Sequence, residues 1–458
     1  MRTIEHEIRH SLLSEVPIQQ TEKCFKIEAT HEDLFDVEFQ FKPNKIIFPV
    51  REGELIEDPS RIAIGDEYSV TYPGTAATKC LVFYQDTFNI LIGGAPSFDY
   101  AKITLKRVDN KIFHLVFTSR LHEIFLIPFE GRWEEAADEY KRCIHMETGT
   151  QPKRSPKYLL QVGVKNPHGE HFIRDFEELA PAIELFYEHF GSGNIVHFFG
   201  TNKDGFDRMF PDYTIDPDLG GEKSFQALIE TIKSFNLLTS HHYNPRIADV
   251  DWMQQCPNFR RAIVKKNGQE VLEPYAGHLH YVMNPNDELW FARCFETVTY
   301  LMNLGFDYLE IDQFTYQRNF YDKNKPLSLG YKRMIEEFIR LNCKFWVEGV
   351  SDIFRLAAGN FYQILIRDRS QLWEDHENRR GYPYGRTFAE FFMYLYPDSE
   401  VSYQVMTENK SFAMFEERLK TARKINAAVY DLELGFYDMH YLDNLKKVAQ
   451  LLGNHATA

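Results

Sequence analysis

The 458-residue chain is 44% hydrophobic and 26% charged, an ordinary globular balance, and its length suits about two to three domains. Its net charge of −15 leaves no excess of Lys and Arg to neutralise phosphates, which argues against nucleic acid and anionic membrane as partners. No run approaches about 18 uncharged apolar residues, so no membrane span is expected.

The opening stretch, MRTIEHEIRHSLLSEVP, is polar and lacks the apolar core of a signal peptide. Six cysteines (24, 80, 143, 256, 294 and 343) are scattered without a CxxC, so neither a disulfide framework nor a zinc ribbon is suggested. Together these features point to a cytoplasmic protein.

Residues 1–127 hold short apolar segments between turn signals, among them FDVEFQF, EYSVTY, CLVFYQD, AKITLKRVD and KIFHLVFTS. Several alternate polar with apolar residues, the pattern of an antiparallel β-sandwich. The period changes in 128–156. Trp133, Ala136, Ala137 and Tyr140 fall on one helical face, which predicts a linker helix near 131–145.

From 157 to 458 strands alternate with helices. KYLLQVGVK, NIVHFFG, LLTSHHYNP, DYLEIDQ, KFWVEGV and YQILIRDR are six strand candidates, and 389–440 has room for two more. There, AEFFMYLYPD and AAVYDLELGFYD read as strand or helix. Alternation over about 300 residues predicts a parallel sheet closed as a (β/α)8 TIM barrel behind the β-sandwich. No GxGxxG follows any strand, so no dinucleotide cofactor is called for.

Two acids stand where barrel chemistry is done. Asp312 ends strand 4 and Glu348 ends strand 5, on the face where active sites form. Neighbouring strands lie about 4.8 Å apart, so two acids at equal height would sit about 5–9 Å apart, the span of carboxylate pairs that cleave glycosidic bonds. The plainer reading makes Asp312 a turn or capping residue and pairs Glu348 with Arg367.

LGFDYLEIDQF and FWVEGVSD resemble the strand-4 and strand-5 motifs of retaining glycoside hydrolases with an Asp nucleophile and a Glu acid/base, as in the α-amylase clan and the endo-α-N-acetylgalactosaminidases. The sandwich, PFEGRWEEAADEYKR and YVMNPNDELW look closer still to a group of bacterial putative glycosidases. The resemblance implies that Asp312 is the nucleophile and Glu348 the acid/base, with a carbohydrate substrate and no cofactor. It departs from the amylase motif at Glu310, where Arg is usual, and at strand 7, which shows no clear His-Asp pair. Both departures argue against an α-1,4-glucan.

Further polar residues are candidates for substrate hydroxyls. His241, His242 and Tyr243 end strand 3, and the two histidines must face opposite ways. Arg367 and Asp368 end strand 6. Asp204 lies in the acidic loop after strand 2, and His278 and His280 lie in a long insertion, 243–285, predicted to cover the barrel mouth. Each also has a structural reading as a solvated or internally satisfied group. Trp252 and Trp373 are candidate sugar-stacking walls, whereas Trp346 inside strand 5 reads as core. The expected function is retaining glycosidase. The alternatives are a metal-dependent hydrolase using His241, His278 and His280, or an inactive carbohydrate-binding barrel.

Overall fold

The structure is a computed structural model that describes residues 2–21, 24–28, 35–119, 123–146, 157–314, 327–353, 361–364, 384–406 and 412–456. Two antiparallel sheets come first. One has four strands, Phe35–Phe41, Phe113–Ser119, Ala101–Arg107 and Glu67–Tyr72 in spatial order. The other has eight, and its last is Arg386–Thr387, which reaches back from far along the chain to pair with Glu54–Ile56. Alternating burial along Phe113–Ser119 shows why the strands form: every second side chain enters the core. The sheets meet through Phe41 stacked on Phe83 at 4.7 Å and Phe48 against Tyr68 at 4.6 Å.

The helix Trp133–Cys143 turns its apolar face inward, burying Ala136, Ala137 and Tyr140, as the spacing predicts. Its Trp133 ring packs edge-on against Phe391 and Tyr394 of the later helix Ala389–Leu395, at 5.3 and 5.0 Å.

Eight parallel strands then hydrogen-bond in succession and close on themselves. In order they are Lys157–Gly163, Ile195–Phe199, Leu238–Tyr243, Tyr308–Ile311, Lys344–Glu348, Phe361–Ile364, Glu400–Met406 and Val429–Phe436. They are called barrel strands 1 to 8 below. A helix follows seven of them; the crossover after strand 5 falls mainly in 354–360, outside the described residues. The two ambiguous segments resolve differently: AEFFMYL is helix, and the second forms strand 8. Strand 7 is EVSYQVM.

The barrel floor is apolar. Trp346 is fully buried among Leu159, Ile195 and Val429, so it is core, as its place in the strand implies. Such burial contributes about 2–3 kcal/mol. Among the described residues no helix is long and apolar enough to cross a membrane.

Candidate active site

Polar residues begin level with Trp346, which lies opposite Glu310. On strand 2, His197 Nε2 lies 2.9 Å from Glu310 Oε2 on strand 4. His197 Nδ1 and the Trp346 indole N–H both lie 3.1 Å from Ser240 Oγ. Burial pushes Glu310 up to about 8, with His242 opposing and Glu348 adding to the shift. Burial also pushes His197 well below its usual range. Both groups are therefore neutral at pH 7: the Glu310 carboxyl donates to Nε2, and Nδ1–H donates to Ser240.

Asp312 stands one tier higher. Strands 4 and 5 are adjacent and parallel, with Ile311 opposite Val347, so Asp312 and Glu348 come level. Asn244 Nδ2 donates to Asp312 Oδ2 at 2.7 Å, and His242 Nε2 lies 3.3 Å from the same oxygen. The backbone N–H of Gln313 donates to Glu348 Oε2 at 3.2 Å. Burial raises Asp312 to about 7; Glu348 and the Asn244 hydrogen bond resist the shift, while Glu310 and Asp207 reinforce it. Asp312 keeps 13% side-chain exposure, so it still faces the opening.

The strand-3 pair splits as period two demands, but the member that reaches the acids is His242. His241 points outward and is fixed by Thr201 Oγ1 at 2.7 Å and the Phe306 ring at 4.9 Å. Burial lowers it to about 3. Tyr243 also faces outward, and its hydroxyl donates to the Cys294 carbonyl at 3.2 Å. Neither is placed to touch substrate, a correction to the reading of LLTSHHYNP. His280 is likewise sealed beneath the loop after strand 2: its Nε2–H donates to the Asp207 carbonyl at 2.9 Å, and the residue is fully buried. His278 contacts the Pro167 carbonyl instead. The three histidines considered for a metal centre therefore do not converge, and among the described residues no three His, Cys, Asp or Glu side chains are grouped to hold a metal.

Asp204 lies part-exposed in the loop after strand 2, while Asp207 in the same loop is the carboxylate that acts on Asp312. Arg367, Asp368 and Trp373 lie outside the described residues. Trp252 is buried against Phe259 at 5.0 Å, which removes it as a sugar wall.

The 243–285 insertion sits on the same face as the acids. Arg246 grips both oxygens of Glu273, at 2.5 and 2.6 Å, and donates to Gln313 Oε1 at 3.1 Å. The Tyr275 hydroxyl donates to Glu273 at 2.7 Å. This chain fixes Gln313, which is left-handed at φ 61° and holds Glu348. An aromatic wall completes the mouth. Phe199, Phe206 and Phe436 are neighbours at 5.0–6.2 Å, and Phe206 meets His242 at 5.3 Å.

Asn244 and Glu310 were legible as site residues only through parity. Each lies two residues from one already in the pocket, Asn244 from His242 and Glu310 from Asp312.

None of the curated proteins compared with the chain matches it. Solved structures do. The chain is similar to the α-N-acetylgalactosaminidase NagBb from Bifidobacterium bifidum, at a TM-score of 0.66 and 12% identity over 96% of this chain and 84% of that one. It is similar also to TtGalA, an α-galactosidase from Thermus thermophilus, at 0.65 and 12% over 96% and 91%. For AgaB, a GH36 α-galactosidase from Geobacillus stearothermophilus, the values are 0.56 and 10% over 94% and 64%. These likenesses establish a glycoside hydrolase-like fold. One family model matches residues 120–356, more than half of the 458, and the chain belongs to that family, described as "Domain of unknown function (DUF6259)".

Proposed function

We propose that the protein is a retaining glycoside hydrolase built on a (β/α)8 barrel over 157–458, with Asp312 as nucleophile. The observation that carries this reading is the pair of acids level on adjacent parallel strands, Asp312 and Glu348, at the mouth of a barrel. The fold likeness to α-galactosidases and an α-N-acetylgalactosaminidase supports it and makes α-galactosides and α-N-acetylgalactosaminides the first substrates to try.

Ionised Asp312 attacks the anomeric carbon. The bond to the leaving oxygen breaks as Glu348 gives that oxygen its proton, and a glycosyl ester forms on Asp312. Glu348 then takes a proton from water, the water oxygen bonds to the anomeric carbon, and Asp312 leaves as carboxylate. Asn244 and His242 hold the attacking oxygen in place. The Phe199, Phe206 and Phe436 wall offers an apolar sugar-stacking face.

The adjacency of Asp312 and Glu348 on neighbouring strands favours a second assignment of the acid. Retaining enzymes keep their carboxyls about 5–5.5 Å apart. In that assignment Glu348 tunes Asp312, and a different acid supplies the proton. Asp368, which follows strand 6 in sequence, is the acid to test for that role.

A panel of aryl glycosides, with intact mass after a fluorosugar trap, tests the whole reading. A mass gain of one sugar that vanishes in Asp312→Ala supports it. Sugar binding without turnover of any aryl glycoside points instead to a carbohydrate-binding barrel. Azide rescue of Glu348→Ala or of Asp368→Ala identifies the acid.

A further inference from the structure

Away from the barrel, two cysteines far apart in sequence meet. Cys24 precedes the strand Phe25–Glu28, and Cys143 ends the helix Trp133–Cys143. The Cys143 thiol donates to Cys24 Sγ at 3.2 Å across 119 residues of chain. Thr21 Oγ1 lies 3.0 Å from the same Cys24 sulfur. Cys24 is buried, and Cys143 is partly exposed at the end of its helix. The other cysteines differ. Cys80, Cys294 and Cys343 are buried, and Cys256 is partly exposed.

We propose that Cys24 and Cys143 are a dithiol site that a small disulfide oxidises to an intramolecular protein disulfide. One protein thiolate attacks the small disulfide, forms a mixed disulfide and releases one small thiol. The second protein thiolate attacks the protein-side sulfur and releases the other. The protein loses two protons and two electrons, and the reagent gains them as two thiols.

Three features suit the pair to this. The sulfurs already touch, so closure needs only a small side-chain rotation. The hydrogen bond from Cys143, ahead of that from Thr21, pulls Cys24 below the usual thiol range against the opposing effect of burial, which favours the attacking thiolate. The positions also tie two elements together. The helix packs on the strand Glu123–Phe129, and its Trp133 contacts the helix Ala389–Leu395. A bond at Cys143 therefore links the sandwich strand at Cys24 to the helix that contacts the barrel.

The test treats the full-length folded protein with glutathione disulfide near neutral pH, then alkylates it and maps the peptides. The expected product lacks two hydrogens, carries no glutathione on either residue, yields one linked peptide containing Cys24 and Cys143, and reverts with dithiothreitol. Its unfolding midpoint rises by roughly 5 °C, because the bond closes a long loop in the unfolded chain. Cys143→Ser should instead leave Cys24 as thiol or mixed disulfide, without the rise. The proposal is overturned if glutathione remains on Cys143 of the wild type, or if both thiols are still alkylated after Cys256 has reacted.

Discussion

Asp312 and Glu348 stand level at the ends of neighbouring parallel barrel strands, where Ile311 lies opposite Val347. Two negative charges on neighbouring strand ends disfavour each other, so ionising one acid opposes ionising the other. The backbone N–H of Gln313 favours charge on Glu348, and Asn244 favours it on Asp312. Which acid loses the proton first decides when the site is ready to react.

Asp312 sits near 7 because burial outweighs its hydrogen bonds. As nucleophile it must be ionised, so kcat/KM should fall below about pH 7. Asn244→Ala removes a bond that favours the ionised form, so this acid limb should move up by roughly one unit. A pH profile on an activated aryl glycoside measures it. A limb that stays put, or moves down, means that Asn244 does not tune the group that controls the rate.

Glu310 gives a second pH prediction, on stability. Its folded value of about 8 lies above its ordinary 4.5, so the folded state holds a proton that the unfolded chain has released. Stability is fully retained below about pH 4.5 and is lost progressively as pH rises to about 8. Glu310→Gln keeps a donor to His197 without an ionisable group. Thermal unfolding should therefore show the variant near the wild type at pH 5 and more stable at pH 9. Equal midpoints at pH 9 would sink the assignment of a neutral buried carboxyl.

How much of this was legible beforehand depends on the kind of signal. The sandwich strands, the helix at Trp133 and the level acids follow from period two, period 3.6 and strand order, which are local and strong. His242 against His241 was undecidable from LLTSHHYNP, because alternation fixes that they oppose but not which faces inward. Tyr243 went the way of His241 for the same reason. His280 was misread because its partner is a backbone carbonyl in another loop, that of Asp207, and such non-local contacts leave no mark in sequence. The Glu310–His197 pair was hidden likewise: its members lie 113 positions apart and meet only because the barrel closes.

The Arg246–Glu273 fork is a buried ion pair that also holds Gln313. Arg246→Met leaves Glu273 as an uncompensated buried charge and should cost about 3–5 kcal/mol in denaturant unfolding. The double replacement of Arg246 and Glu273 by Met should recover most of that stability but not kcat, since Gln313 loses its anchor in both. Recovery of stability and kcat together would show that the fork only holds the insertion in place.

Gly163 ends barrel strand 1 beneath the aromatic wall. A Cβ there would lie 2.4 and 2.5 Å from the Phe199 ring and 2.7 Å from the Phe436 ring, distances that packed atoms do not tolerate. Those rings cannot simply retreat: Phe199 backs on Phe206, Phe436 on Phe172, and Phe206 on His242 beside Asp312. Gly163→Ala should therefore cost about 1–3 kcal/mol by overpacking and also shift the wall towards the acids. The kinetic signature should be a raised KM on aryl glycosides, with a smaller change in kcat. Trimming the obstructing ring in Gly163→Ala/Phe199→Leu should restore stability, because the added methyl then has room. If the single variant matches the wild type in both midpoint and KM, the rings are looser than their contacts imply, and the wall does not shape the pocket.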